Sequence, residues 1–213
     1  MDQNNRRPGS NGNFAMSKET NHQSSSGIRT RVRNDQFDPK LNFSRGAGTF
    51  RFAAWQLVKW AFFRTVFPWP VRMKVSLLRF FGCRLGVGVV IKPQVNIHLP
   101  WKLQIGDHAW IGEEVYILNF EPVKIGSHVC ISQRAFICAG NHDYRTVSMV
   151  YRNAPIVIED GVWIGAHTFV APGVVVGVDA VVAAGSVLVS DATPGSVYSG
   201  NPAKEVGRRW REV

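Results

Sequence analysis

From Leu85 onward the chain keeps a period of six: an aliphatic residue, often followed by glycine, then a small or branched residue four places after the aliphatic. The clearest units are Ile105-Gly106, Ile111-Gly112, Ile125-Gly126, Ile164-Gly165 and Val176-Gly177, and Ile131, Ile137, Ile158, Val170, Val182 and Leu188 hold the beat without the glycine. Behind them by four come Ala109, Val115, Val129, Ala135, Val162, Thr168, Val174, Ala180, Ser186 and Ala192, so both positions are expected to face inward. A sixfold aliphatic beat does not make a 3.6-residue stripe, which excludes a helix over this stretch. Three hexads make one triangular coil of about 18 residues, each face a short strand, and successive coils stack their strands in parallel. The steps between residues of the first face agree: Leu85 to Ile105 and Ile105 to Ile125 are 20 each, Ile125 to Ile158 is 33, and Ile158 to Val176 is 18. Two coils thus carry a small extension, around Pro100-Trp101 and Pro122-Val123, and one carries a long insertion in the stretch after His142. About five coils are expected, an all-β domain over residues 83–213.

The net charge of +10 suggests a nucleic-acid partner until it is divided along the chain. Residues 1–82 hold 14 Lys+Arg against 4 Asp+Glu, which is the whole excess, whereas residues 83–213 hold 11 of each sign. No aromatic stacking module stands behind the basic part, so no nucleic-acid partner is expected. Residues 1–48, rich in Asn, Ser, Gly and Arg, are expected to form a disordered basic arm, because they have too few aliphatics to offset the entropy of ordering. The chain opens without an apolar leader, and Cys83, Cys130 and Cys138 cannot pair completely, so a cytoplasmic location is expected.

Between arm and repeat, residues 49–82 change character. Polar residues at 51, 56, 59 and 64 interrupt an aromatic run, the pattern of a helix with a narrow basic stripe; Pro68 and Pro70 end it, and Val71 to Phe81 reads as a second amphipathic helix stopped by Gly82. Arg51, Lys59 and Arg64 break the richest apolar stretch, which argues against a spanning helix. Two readings stay open: a cap on the open end of the coil, which a solenoid requires, or peripheral membrane contact through residues 50–81 at the inner face of the membrane, where Trp and Phe on one side and Arg and Lys on the other suit an anionic surface.

Hexads of this type resemble the hexapeptide-repeat acyltransferases. The resemblance tightens in Trp110-Ile111-Gly112-Glu113-Glu114-Val115-Tyr116-Ile117-Leu118-Asn119, Val129-Cys130-Ile131-Ser132-Gln133, Gly140-Asn141-His142-Asp143-Tyr144, Ala154-Pro155-Ile156-Val157-Ile158-Glu159-Asp160-Gly161 and Gly200-Asn201-Pro202-Ala203-Lys204, which look like the colanic acid biosynthesis acetyltransferase subfamily. A parallel coil taken alone implies right-handed crossovers. The resemblance implies the opposite hand, a left-handed parallel β-helix assembled as a homotrimer. It also implies transfer of acetyl from acetyl-CoA, as co-substrate, to the hydroxyl of a carbohydrate acceptor in exopolysaccharide biosynthesis.

Such a transfer needs a base for the attacking hydroxyl, a donor for the developing oxyanion and a surface for the pantetheine arm. Of six histidines, His22 lies in the arm, His98 is ambiguous, and His108, His128 and His167 each fall three places after a guide residue, at an exposed corner. His142 breaks the pattern: where Ile137-Cys138-Ala139-Gly140-Asn141 calls for another strand, the chain leaves the coil, and the resemblance makes this histidine the base. Its other ring nitrogen requires a fixed acceptor, for which a backbone carbonyl is preferred over Asp143. The resemblance assigns Asn119 to the acceptor hydroxyl, against a plain reading as a turn residue. It assigns Trp163, Ala166 and Ala184 to the pantetheine, and Lys204 and Arg208 suit the adenosine phosphates. Ser190 occupies a donor position where many relatives carry lysine, leaving Arg208, Arg209 or Arg211 to supply the charge.

A zinc enzyme of the carbonic anhydrase type needs three converging histidines, whereas His108 and His128 one coil apart are only two, so no metal is expected. A non-catalytic β-helix scaffold or binding protein is the alternative, since fold alone never establishes activity.

Overall fold

A computed structural model describes residues 31–210. The expected beat is the observed one. The first face stacks Arg84–Leu85, Leu103–Ile105, Val123–Ile125, Ile156–Ile158 and Val175–Val176 in parallel, with Leu85 opposite Ile105, Ile105 opposite Ile125, Ile125 opposite Ile158 and Ile158 opposite Val176. The second face stacks Val90–Ile91, Trp110–Ile111, Cys130–Ile131, Trp163–Ile164, Val181–Val182 and Ser196–Gly200, and the third stacks Asn96–Ile97, Tyr116–Leu118, Phe136–Cys138, Phe169–Val170 and Val187–Leu188. Five full coils are followed by a sixth strand on the second face, on which Ala203–Arg208 folds back antiparallel. Every guide aliphatic from Ile91 to Leu188, and every small residue four places after a guide from Ala109 to Ala192, is buried, and Leu103, Val123 and Ile156 on the first face add to this core.

Glycine serves two purposes. The left-handed corner three places after a guide residue is taken by Gly88, Gly161, Gly173 and Gly185, and also by Gln94, His108, Glu114, His128, Arg134, His167 and Asp179 with φ between 55° and 61°. The glycine directly after a guide residue is needed because the next coil passes close: a Cβ on Gly106 would sit 2.6 Å from the backbone of Gly126 and Ser127. His108, His128 and His167 are therefore exposed left-handed corner residues, and the rings of His108 and His128 stack at 5.3 Å.

Each coil donates backbone N–H groups to guide carbonyls of the coil above, as Gly86 does to Ile105, Lys92 to Ile111 and His98 to Ile117. The first coil therefore has guide carbonyls with no coil beneath them. The helical segment covers them, one donor per face. Helix α1 (Thr49–Val58) runs on through a π-helical turn, Lys59–Phe63, and helix α2 (Val71–Phe80) follows. Arg79 donates to Leu85 O and Gly86 O, the buried Lys74 to Ile91 O and Lys92 O at 3.4 and 3.1 Å, and Trp55 Nε1 to Ile97 O and His98 O at 3.2 and 3.1 Å. Trp55, Phe63, Leu78 and Phe81 close the apolar mouth around these donors. These donors give residues 49–82 the contacts that a cap on the first coil needs.

His98 belongs to the same region. Its ring lies between those of Phe52 and Phe120, and burial, reinforced by the positive charges of Lys59 and Arg45, pushes its pKa down to about 4.

Replacing Lys74 with Met removes the donor but keeps the bulk, and is expected to lower the unfolding free energy by about 1–3 kcal/mol in urea titrations. His98 makes stability depend on pH. The folded state keeps it neutral down to about pH 4 while the unfolded chain protonates it near 6.5, so the unfolded state binds more protons between these values. Urea midpoints should fall as pH is lowered through that window, and His98→Phe should flatten the slope.

Candidate active site

The regular coil breaks after Cys138. Gly140 to Pro155 form a hairpin-like loop off the end of the third face, with Arg152 N donating to Asn141 O at 2.9 Å and Asp143 N to Val150 O at 2.8 Å, so that His142 and Tyr151 face each other as an antiparallel bridge. Asn153 pins the entry by accepting from Asn141 N at 2.9 Å. Met149 adopts the left-handed conformation, φ 46°, and its carbonyl lies 2.6 Å from His142 Nδ1. A carbonyl only accepts, so in the neutral ring Nδ1 carries the proton and the lone pair lies on Nε2, the tautomer a general base requires. Asp143 turns to its own neighbour, Arg145, and does not orient the imidazole.

One wall of this site comes from residues 33–48, within the basic arm, which run as a strap along the loop. Arg33 N donates to Val147 O at 2.8 Å, Phe37 packs its ring 5.3 Å from His142 and 5.1 Å from Tyr151, and Phe43 sits 4.7 Å from Phe120 and 5.4 Å from Tyr151. Trp101 Nε1 and Lys102 Nζ donate to the carbonyls of Arg45 and Ser44. A composition average hid two aromatic residues set in a polar segment, and those two rings were the available signal. His22 and the rest of residues 1–30 lie outside the described residues.

Asn119 is held inside the stack. It is fully buried, with its amide oxygen taking Leu99 N–H at 2.9 Å and its amide nitrogen donating to Leu99 O. The residue pins one coil extension onto the other, at Pro100-Trp101 and Pro122-Val123.

Of the donor positions, three come together. Trp163, Ala166 and Ala184 line one apolar groove of about 460 Å³ on the second face, with Ser132, Gln133, Gly165 and Val181 to Ala183. Trp163 donates from Nε1 to Ser132 Oγ at 2.9 Å, which holds the indole as a side wall. Small residues and exposed strand backbone suit a pantetheine arm, which is mostly methylene and amide. Lys204 pairs with Ser199 in the strand capping this face, near the same corner as Ala184. Arg208 lies at the other end of that strand, held by Ser196 Oγ at 2.7 Å, and Ser190 sits at the corner after the third face, so neither shares the groove. Arg209 is engaged with Gly161 O and Asp179. Arg211 lies outside the described residues.

The family model described as the hexapeptide repeat of succinyl-transferase matches residues 155–190. A protein of Escherichia coli strain K12 assigned to colanic acid biosynthesis as an acetyltransferase is 37% identical over 169 residues, covering 78% of this chain and 91% of that protein. The chain belongs to the hexapeptide-repeat acyltransferases. Galactoside O-acetyltransferase of the same organism is 27% identical over 65% of this acyltransferase and 70% of its own length. A hexapeptide-repeat acetyltransferase of Vibrio cholerae, solved in complex with acetyl coenzyme A, superposes with a TM-score of 0.69 at 26% identity, covering 76% of this chain and 88% of that one. The acyltransferase is a left-handed parallel β-helix with an N-terminal helical part, as the resemblance implied.

Within one chain, the groove opens at the corner between the second and third faces, and the His142 loop departs at the far end of the third. One side of the triangle, about 15 Å of strand, lies between them.

Phe37→Ala should release the His142 loop from its wall. Amide exchange in residues 141–151 is expected to quicken about tenfold, with the coil strands unchanged.

Proposed function

We propose that this acyltransferase moves an acetyl group from acetyl-CoA to a hydroxyl of a carbohydrate acceptor. The sugar acetyltransferases among its relatives and the acetyl coenzyme A complex of its Vibrio cholerae neighbour support this reading. The assignment of the Escherichia coli relative to colanic acid favours an exopolysaccharide acceptor. The observation that carries the mechanism is the Met149 carbonyl on His142 Nδ1, which leaves Nε2 free on a loop outside the coil.

In the proposed step His142 Nε2 takes the hydroxyl proton as the oxygen attacks the thioester carbonyl. The tetrahedral intermediate collapses with loss of the C–S bond, and the leaving thiolate takes the proton back from the imidazolium. No acyl-enzyme is needed. Burial pushes the thiols of Cys130 and Cys138 above their ordinary range, and Cys138 Sγ points at Gly140 O.

The side of the triangle between His142 and the Trp163 groove favours a site shared by two copies: the base of one chain over the groove of its neighbour, repeated three times in a homotrimer. Lys204, beside the same corner, is proposed to meet the phosphates of the donor.

His142→Ala is expected to lower acceptor-dependent release of free CoA by about 10²–10⁴-fold, with acetyl-CoA binding retained. Ala184→Trp, which fills the groove, should abolish acetyl-CoA binding. Co-assembling the two inactive variants in equal amounts should restore about a quarter of the sites if base and groove come from different chains. A mixture as inactive as its parts would place the whole site in one chain, and a His142→Ala protein that keeps full activity would favour the scaffold reading.

A further inference from the structure

One face of the helical cap has no role in capping. In α1 and its π-helical continuation, Trp55 and Phe63 are buried against the coil, while Phe50, Leu57 and Trp60, spaced by seven and three residues along the opposite face, are 89%, 72% and 76% exposed. Val66 and Phe67 continue this apolar surface directly after the helix. The segment's own charge has a single sign, since residues 49–82 contain Arg51, Lys59, Arg64, Arg72, Lys74 and Arg79 and no Asp or Glu; the coil carboxylate that shares a recess with Arg64, Glu114, is paired with Arg134. Lys74 and Arg79 cap the coil and Arg51 donates to Phe81 O, whereas Arg64 and Arg72 are exposed and have no ion-pair partner among the described residues.

We infer that this face docks the protein on the surface of an anionic phospholipid bilayer, with Phe50, Leu57 and Trp60 among the upper acyl chains and Arg64 and Arg72 on the phosphates. Exposed Trp, Phe and Leu on a segment whose own charges are all cationic match a lipid interface, apolar below and anionic at the rim. No helix among the described residues is long and apolar enough to cross a membrane, so the contact is peripheral. It also has a consequence for the site. The His142 loop leaves the third coil, about 10 Å above the first by the spacing of stacked strands. The strap of residues 33–48 leads from the start of α1 to that loop, so a bilayer-docked protein holds its base at a short, fixed height above the headgroups. The inference does not depend on acetyl transfer.

The test is flotation of the full chain with phosphatidylcholine vesicles, with and without phosphatidylglycerol. Wild type is expected to float with the anionic vesicles and to be released by added salt. The double variant Leu57→Glu/Trp60→Glu keeps residues 1–30 and the capping donors, so its unfolding midpoint should stay at the wild-type value while vesicle binding drops about tenfold. Equal flotation of the two proteins would assign any lipid binding to the N-terminal residues and overturn the inference. So would a wild type that ignores anionic vesicles, or one whose sedimenting mass falls in the double variant without any lipid binding, which would make the face a contact between copies.

Discussion

The rest of the molecule depends on the rung-to-rung hydrogen bond from the backbone of one coil to the guide carbonyl of the next. It fixes register, because only a multiple of one coil brings inward positions into line, and it leaves unpaired backbone at both ends of the stack. At the base the orphaned carbonyls are met by Arg79, Lys74 and Trp55, one to each face. At the top the second face is closed by the antiparallel strand Ala203–Arg208, and Asp191 takes the free N–H of Val175 on the first. Both terminal segments are therefore parts of one hydrogen-bonded stack.

His142 stands where this ladder is interrupted. A regular coil commits its strand backbone to the neighbouring coils. The insertion after Cys138 lets an imidazole leave the wall, and the loop then restores order locally, through the 2.6 Å contact between Met149 O and His142 Nδ1 and the packing of Phe37 and Tyr151 on the ring. The groove on the second face uses the opposite property, flat backbone and small residues beside Trp163. A mobile acceptor and a long, flexible donor are suited to these two surfaces, and the rigid triangle sets the distance between them.

The sequence was most readable where position determines environment. The six-residue period announced which residues are buried, the pairing of Leu85 with Ile105 and of Ile125 with Ile158, the exposed corners at His108, His128 and His167, and the point at which His142 leaves the coil. It was least readable where partners are distant in sequence. Asn119 reads as a loop asparagine free for a substrate, and only the neighbouring coil shows its amide committed to Leu99. Residues 33–48 read as part of a polar arm, because what orders them is an aromatic cluster assembled from Phe120 and Tyr151, about a hundred residues downstream.

By itself the sequence determined the solenoid, since a short repeat writes the same inside and outside positions on every turn and leaves one way to stack them. Tertiary structure decided how the ends are closed, that Trp163, Ala166 and Ala184 share a groove, and that His142 and that groove lie on different corners. These depend on side chains meeting across coils, and a side chain's neighbour on the next coil is set by the stacking, 18, 20 or 33 residues away, and not by the residues beside it in the chain.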